Sequence, residues 1–122
     1  MINRLTNTPM KKSLFTLLLL MVLPIVMNAN PAHKVTLVYD AETAKLSVTI
    51  VHPVMDTEKH FISEITVLVG DKEIEKKELT KQSTKESETY EITLPGLSKG
   101  NVITVEAKCN QFGRKSGKLT IK

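Results

Sequence analysis

The sequence predicts an all-β domain, an immunoglobulin-like antiparallel β-sandwich of about seven short strands. Three observations lead there. From residue 34 onward apolar residues tend to recur at every second position, the period of a strand with one buried face. Turn-forming residues break this alternation roughly every 8–12 residues, the spacing of a sandwich. No stretch after residue 30 makes a convincing helix at helical apolar spacing.

A segment of different character precedes the domain. Met10-Lys11-Lys12 is basic, residues 14–27 are nearly unbroken hydrocarbon interrupted by Pro24, and Asn28-Ala29-Asn30-Pro31-Ala32 is small and polar. That is the three-part pattern of a secretory signal peptide, with Met10 as a natural start. The apolar run falls short of the roughly 20 residues a membrane span needs, and Pro24 weakens a continuous helix there. The expected organisation is an N-terminal extension and signal peptide over 1–29, then the sandwich over 30–122. The expected product is exported, periplasmic or secreted, with no stable membrane span after cleavage.

The strands follow in order. Residues 34–39 place Val35, Leu37 and Tyr39 on one face, and Asp40-Ala41-Glu42-Thr43 turns the chain. Residues 45–51 alternate cleanly, with Leu46, Val48 and Ile50 inward and Ser47 and Thr49 outward. A polar loop over 52–59 leads to a long β-branched strand at 61–69, turned back by Gly70-Asp71-Lys72. Residues 73–80 are so charged that they suit a sheet edge, where exposed lysines discourage pairing with other chains. Strands at 88–94, 101–109 and 118–122 complete the set, with Pro95-Gly96 as a turn after the first of them. In 101–109, Ile103, Val105, Ala107 and Cys109 share the apolar face.

Charge excludes one class of partner. The 17 lysines and arginines include Arg4, Lys11 and Lys12, so residues 30–122 carry 14 against all 13 acidic residues, a net of +1. A nearly balanced surface without tryptophan offers neither the basic patch nor the stacking platforms that nucleic acid requires. No nucleophile elbow and no Gly-rich phosphate loop is present, so nothing indicates a hydrolase.

The metal-ligand vocabulary is three histidines and one cysteine. His33 starts the domain, His52 opens His52-Pro53-Val54-Met55 at a strand exit, and His60 precedes a strand. Cys109 ends one, in Cys109-Asn110-Gln111-Phe112-Gly113. Imidazole and thiolate donors suit iron, copper or zinc rather than calcium or magnesium. A single cysteine in an exported domain has no partner in its own chain, so it is a buried thiol, a link between chains or a metal ligand. Each residue also has a plainer reading: Cys109 as a small core side chain, His52 and His60 as loop histidines bonded to backbone, His33 as a solvated terminal residue.

These motifs resemble the iron-binding domain of the desulfoferrodoxin and neelaredoxin family, the superoxide reductases. The resemblance runs from about His33 to Gly113, and Cys-Asn-x-x-Gly after the Val-Ile-Thr-Val-Glu-Ala strand is its most specific piece. It implies the sandwich fold and a mononuclear non-haem iron held by His33, His52, His60 and Cys109. It also implies superoxide reduction to peroxide, and a separate electron-donor protein. The family pattern has a histidine three residues after the cysteine, where this chain has Phe112. The set is therefore one imidazole short of the family's four, and four donors would also suit zinc as a closed site. Two functions outside reductase chemistry stay open: a small electron-transfer or metal-carrier protein, and a non-catalytic sandwich module that has lost its metal and binds partners through its end loops.

Overall fold

The computed structural model describes residues 32–122, so the expected signal segment lies outside the described residues. Seven strands form there: β1 Lys34–Asp40, β2 Lys45–Val51, β3 Ile62–Val69, β4 Lys72–Glu78, β5 Ser87–Thr93, β6 Val102–Cys109 and β7 Arg114–Thr120. One sheet has the order β1-β2-β5 and the other β4-β3-β6-β7. Every ladder is antiparallel. Among the described residues no helix is long and apolar enough to cross a membrane.

The alternation read from the sequence places the core. Leu46, Val48 and Ile50 of β2 face Ile65 and Val67 of β3 and Ile103, Val105 and Ala107 of β6 in one buried cluster. Side chains of this kind contribute about 1.5–3 kcal/mol each when fully buried. β4 is exposed along its whole length and lies at a sheet edge, as its charge predicts. On the opposite edge β1 and β7 come together so closely that a Cβ on Gly117 would sit 2.3 Å from the Val35 carbonyl oxygen.

Two differences from the expected elements have clear causes. β7 begins at Arg114 rather than 118. It pairs with β6 from Lys108↔Arg114 to Val102↔Thr120, but Arg114, Lys115 and Ser116 are exposed, so no apolar alternation announces them. In β3 the pairing shifts between Ile62 and Glu64, a bulge that inserts Ser63. The bulge lets Ile62 and Ile65, three residues apart, both turn inward. It also sets Ile62 directly across from Cys109, at the end of the sandwich where the ligand-type residues gather.

Candidate metal centre

Three separate devices deliver three donors to one point. β2 runs out at Val51, and the next side chain, His52, stays on the inward parity of Leu46, Val48 and Ile50 and is 0% exposed. Backbone bonds from His52 N to Glu86 O (2.9 Å) and from Val54 N to Lys85 O (2.7 Å) prolong the pairing past the strand and hold it there.

His60 is presented by a turn built on Asp56. The Asp56 Oδ1 accepts the amides of Glu58 at 2.9 Å and Lys59 at 3.3 Å, and its carbonyl accepts the amide of His60 at 3.0 Å. A short acidic side chain is suited to this, since it mimics a further backbone turn.

Cys109 ends β6 with its side chain buried. Its amide donates to Gly113 O at 3.0 Å, and Gly113 has φ 89°, so the return requires a residue free to enter the left-handed region. Asn110 then fastens this turn to the His60 loop. Its Oδ1 accepts from Phe61 N at 2.9 Å and its Nδ2 donates to Lys59 O at 3.0 Å. The Cys-Asn-x-x-Gly motif thus has a mechanical content: cysteine supplies the sulfur, asparagine latches the histidine loop, and glycine closes the turn.

The outcome is a cluster of His52, His60 and Cys109 whose donor atoms all lie within 4.8 Å of one another. His60 Nε2 is 3.2 Å from Cys109 Sγ, and the two imidazole rings meet edge to face with centroids 4.7 Å apart. A metal with M–N near 2.1 Å and M–S near 2.3 Å holds its donors about 3–4.4 Å apart, so a small contraction suffices. His52 Nδ1 is 2.7 Å from Gln82 Oε1, while His52 Nε2 is buried and has no hydrogen-bond partner, alone in this among the buried side-chain atoms of the described residues. A buried polar atom without a partner costs about 1–3 kcal/mol, and a metal ion is one thing that would satisfy it. The donor set and this orphaned atom fit a metal.

The other sequence candidates fall elsewhere. His33 is exposed and outside the three-donor group. Its amide donates to Val51 O, one step out of register with the Lys34↔Val51 pair, so the chain bends there and buries Ala32 instead. Phe112 is 62% exposed. Gln111 donates to Lys59 O at 3.3 Å and, with Met55, Lys59 and His60, lines an open cavity of about 420 Å³. His60 is the only one of the three donor residues on that wall, so the cluster meets solvent from its side. Gln82 was not legible as a site residue; a lone glutamine in a polar loop gives no signal in sequence.

Comparison with known proteins agrees with this fold. The desulfoferrodoxin family profile matches residues 24–116. Two solved structures of a superoxide reductase (neelaredoxin) from Ignicoccus hospitalis, both variants, share the fold at 16% identity, with TM-scores of 0.52 and 0.50. In each case the match covers 75% of this chain and 80% of the other. No curated protein matches the chain.

Proposed function

The chain belongs to the desulfoferrodoxin family, and on that premise we propose that it is a metal-binding protein whose centre is held by His52, His60 and Cys109. Mononuclear non-haem iron is the proposed metal. The observation that carries this reading is the buried, unpartnered Nε2 of His52, on a ring packed edge to face against His60, which itself touches the thiol of Cys109.

Iron bound there would supply one electron to superoxide, which leaves as hydrogen peroxide after taking up two protons, and an electron-donor protein would restore that electron. This chain's own residues set the conditions. Cys109 would give a thiolate sulfur to the metal, and its Sγ already lies 3.2 Å from His60 Nε2. His52 gives a nitrogen shielded from water. The open cavity beside His60 is large enough for a small anion and would leave a side from which a donor protein could approach. Three protein donors would hold a metal without closing its coordination, so iron there would be open to a small ligand and zinc would not be in a closed structural site. The proposed setting is outside the cytoplasm, periplasmic or secreted, on the strength of the signal-like segment over 1–29.

A second reading is favoured by one observation: the family's histidine position is Phe112, exposed to solvent. In that reading the domain is a partner-binding module without a metal. One experiment separates the two. The full chain is loaded anaerobically with ferrous iron, freed of excess, and its iron content measured. One iron per chain, lost in Cys109→Ser, supports the centre, and consumption of superoxide by the loaded chain extends it to reductase chemistry. No retained iron supports the module.

A further inference from the structure

We infer that Gln82 is a positioning residue that fixes the tautomer of His52 and so selects Nε2 as its metal-binding atom. The inference rests on the metal centre described above and names a residue that acts through a ligand rather than on the metal.

Backbone chemistry leaves no choice in how the Gln82 amide is oriented. Gln82 is 2% exposed and its amide makes four hydrogen bonds. On one side its Nε2 donates to His52 O at 2.7 Å and to Thr84 O at 2.9 Å. Carbonyl oxygens only accept, so the NH2 group must face them. On the other side Oε1 accepts from the amide of Ile62 at 3.3 Å, and a backbone N–H only donates. The two ends of the amide are therefore assigned by three backbone groups independently. Oε1 also lies 2.7 Å from His52 Nδ1, and an amide oxygen has no hydrogen to give. The hydrogen in that bond belongs to Nδ1. A neutral imidazole with Nδ1–H has its lone pair on Nε2. That is the buried atom with no partner, on a residue of the three-donor cluster.

Gln82 is itself held before any ligand arrives. Its own amide donates to Thr57 O at 3.0 Å, in the loop that carries His60. The next residue, Ser83, gives its amide and hydroxyl to the buried carboxylate of Glu88. One side chain thus grips the ring of His52, the carbonyl of His52 and the amide of Ile62, the residue paired with Cys109. A ligand whose second nitrogen is bonded in this way is oriented and made more basic, and loss of such a partner typically lowers metal affinity 10–100-fold.

The test uses the full chain labelled with nitrogen-15 and free of metal, with two-bond proton–nitrogen correlations to show which imidazole nitrogen carries the hydrogen. Wild-type His52 is expected as the Nδ1–H form. Gln82→Met keeps the length and removes the acceptor; it should populate the Nε2–H form and weaken ferrous-iron binding about 10–100-fold. Gln82→Glu keeps an oxygen against Nδ1 and should retain the Nδ1–H form, whatever it loses in stability against the two carbonyls. The inference is overturned if wild-type His52 carries its hydrogen on Nε2. It is also overturned if Gln82→Met keeps both tautomer and affinity, or if Gln82→Glu loses the tautomer as fully as Gln82→Met. The wild-type spectrum stands even if a variant fails to fold. A wild-type chain that binds no iron would end the metal-centre reading while leaving the tautomer result intact.

Discussion

Replacing His52 with leucine should abolish metal-linked stability while leaving the metal-free fold almost as stable as wild type. The terms can be set from the structure. His52 is fully buried, so an apolar residue of similar volume costs little in packing. The variant loses the hydrogen bond from Nδ1 to Gln82, worth about 1 kcal/mol. Gln82 Oε1 still accepts from Ile62, so it is not stranded. The variant also loses the unpartnered Nε2, which relieves about 1–3 kcal/mol. These contributions offset, and metal-free His52→Leu should stay within about 2 kcal/mol of metal-free wild type, against about 2–5 kcal/mol for ordinary truncation of a core side chain. With metal the two diverge. A ligand at one hundred times its dissociation constant stabilises the native state by about 2.7 kcal/mol, and about 4–8 °C accompanies each kcal/mol in a domain of this size. Wild type should therefore melt roughly 10–20 °C higher in ferrous iron than in chelator, and His52→Leu at the same temperature in both. Thermal melts followed by circular dichroism under anaerobic conditions supply the numbers. The reasoning fails if wild type melts indifferently to iron. It also fails if the metal-free variant loses about 4 kcal/mol or more, since that would make His52 a structural histidine with no cost to relieve.

Other expectations are more compact. Cys109→Ser should remove tight iron binding while costing about 1–3 kcal/mol in stability, because a hydroxyl replaces a buried thiol that packs as a small hydrophobe; iron per chain after gel filtration measures the first and a urea midpoint the second. His33→Ala should leave iron stoichiometry at the wild-type value and affinity within threefold, since the imidazole is exposed beyond the bend; a lost equivalent of iron would show that the bend rearranges on binding and that four residues ligate. Gly117→Ala should destabilise by about 3 kcal/mol, the upper end for overpacking, because its Cβ would press on the Val35 carbonyl and lie 2.9 Å from Leu37 Cδ1. A urea midpoint unmoved at constant slope would refute that close approach. Tyr90 has its pKa raised above 10.0, first by burial and then by the negative charge of Glu75. Above pH 10.0 the unfolded chain sheds that proton more readily than the folded one, so stability should fall from there upward, and Tyr90→Phe should flatten that part of the pH profile.

The parts legible in the sequence were those carried by local repetition. Alternation in 45–51 and 101–109 gave the inward faces of β2 and β6 and with them the parity of His52 and Cys109. Repetition fails where a residue is defined by what lies across the fold. Arg114 to Ser116 form strand because β6 is beside them, and nothing in their own order says so. The bend at His33 follows from a backbone bond to Val51, and parity alone could not foresee that Ala32 would take the buried place. Gln82 is the extreme case. Its partners are spread from His52 to Thr84, and each of its four hydrogen bonds is an ordinary one to a group that any sequence possesses. The consequence for function is specific. A search by ligand residues alone scores this centre as depleted, because Phe112 stands where the resemblance leads one to expect a histidine. Yet the amide that orients a remaining ligand is present and fully bonded, and the asparagine latch and glycine turn of the cysteine loop are intact. A domain that had shed its metal and kept only its fold would have no physical reason to keep a buried nitrogen unpartnered, because an apolar residue at position 52 removes that cost. That cost is the physical ground on which the proposed centre rests.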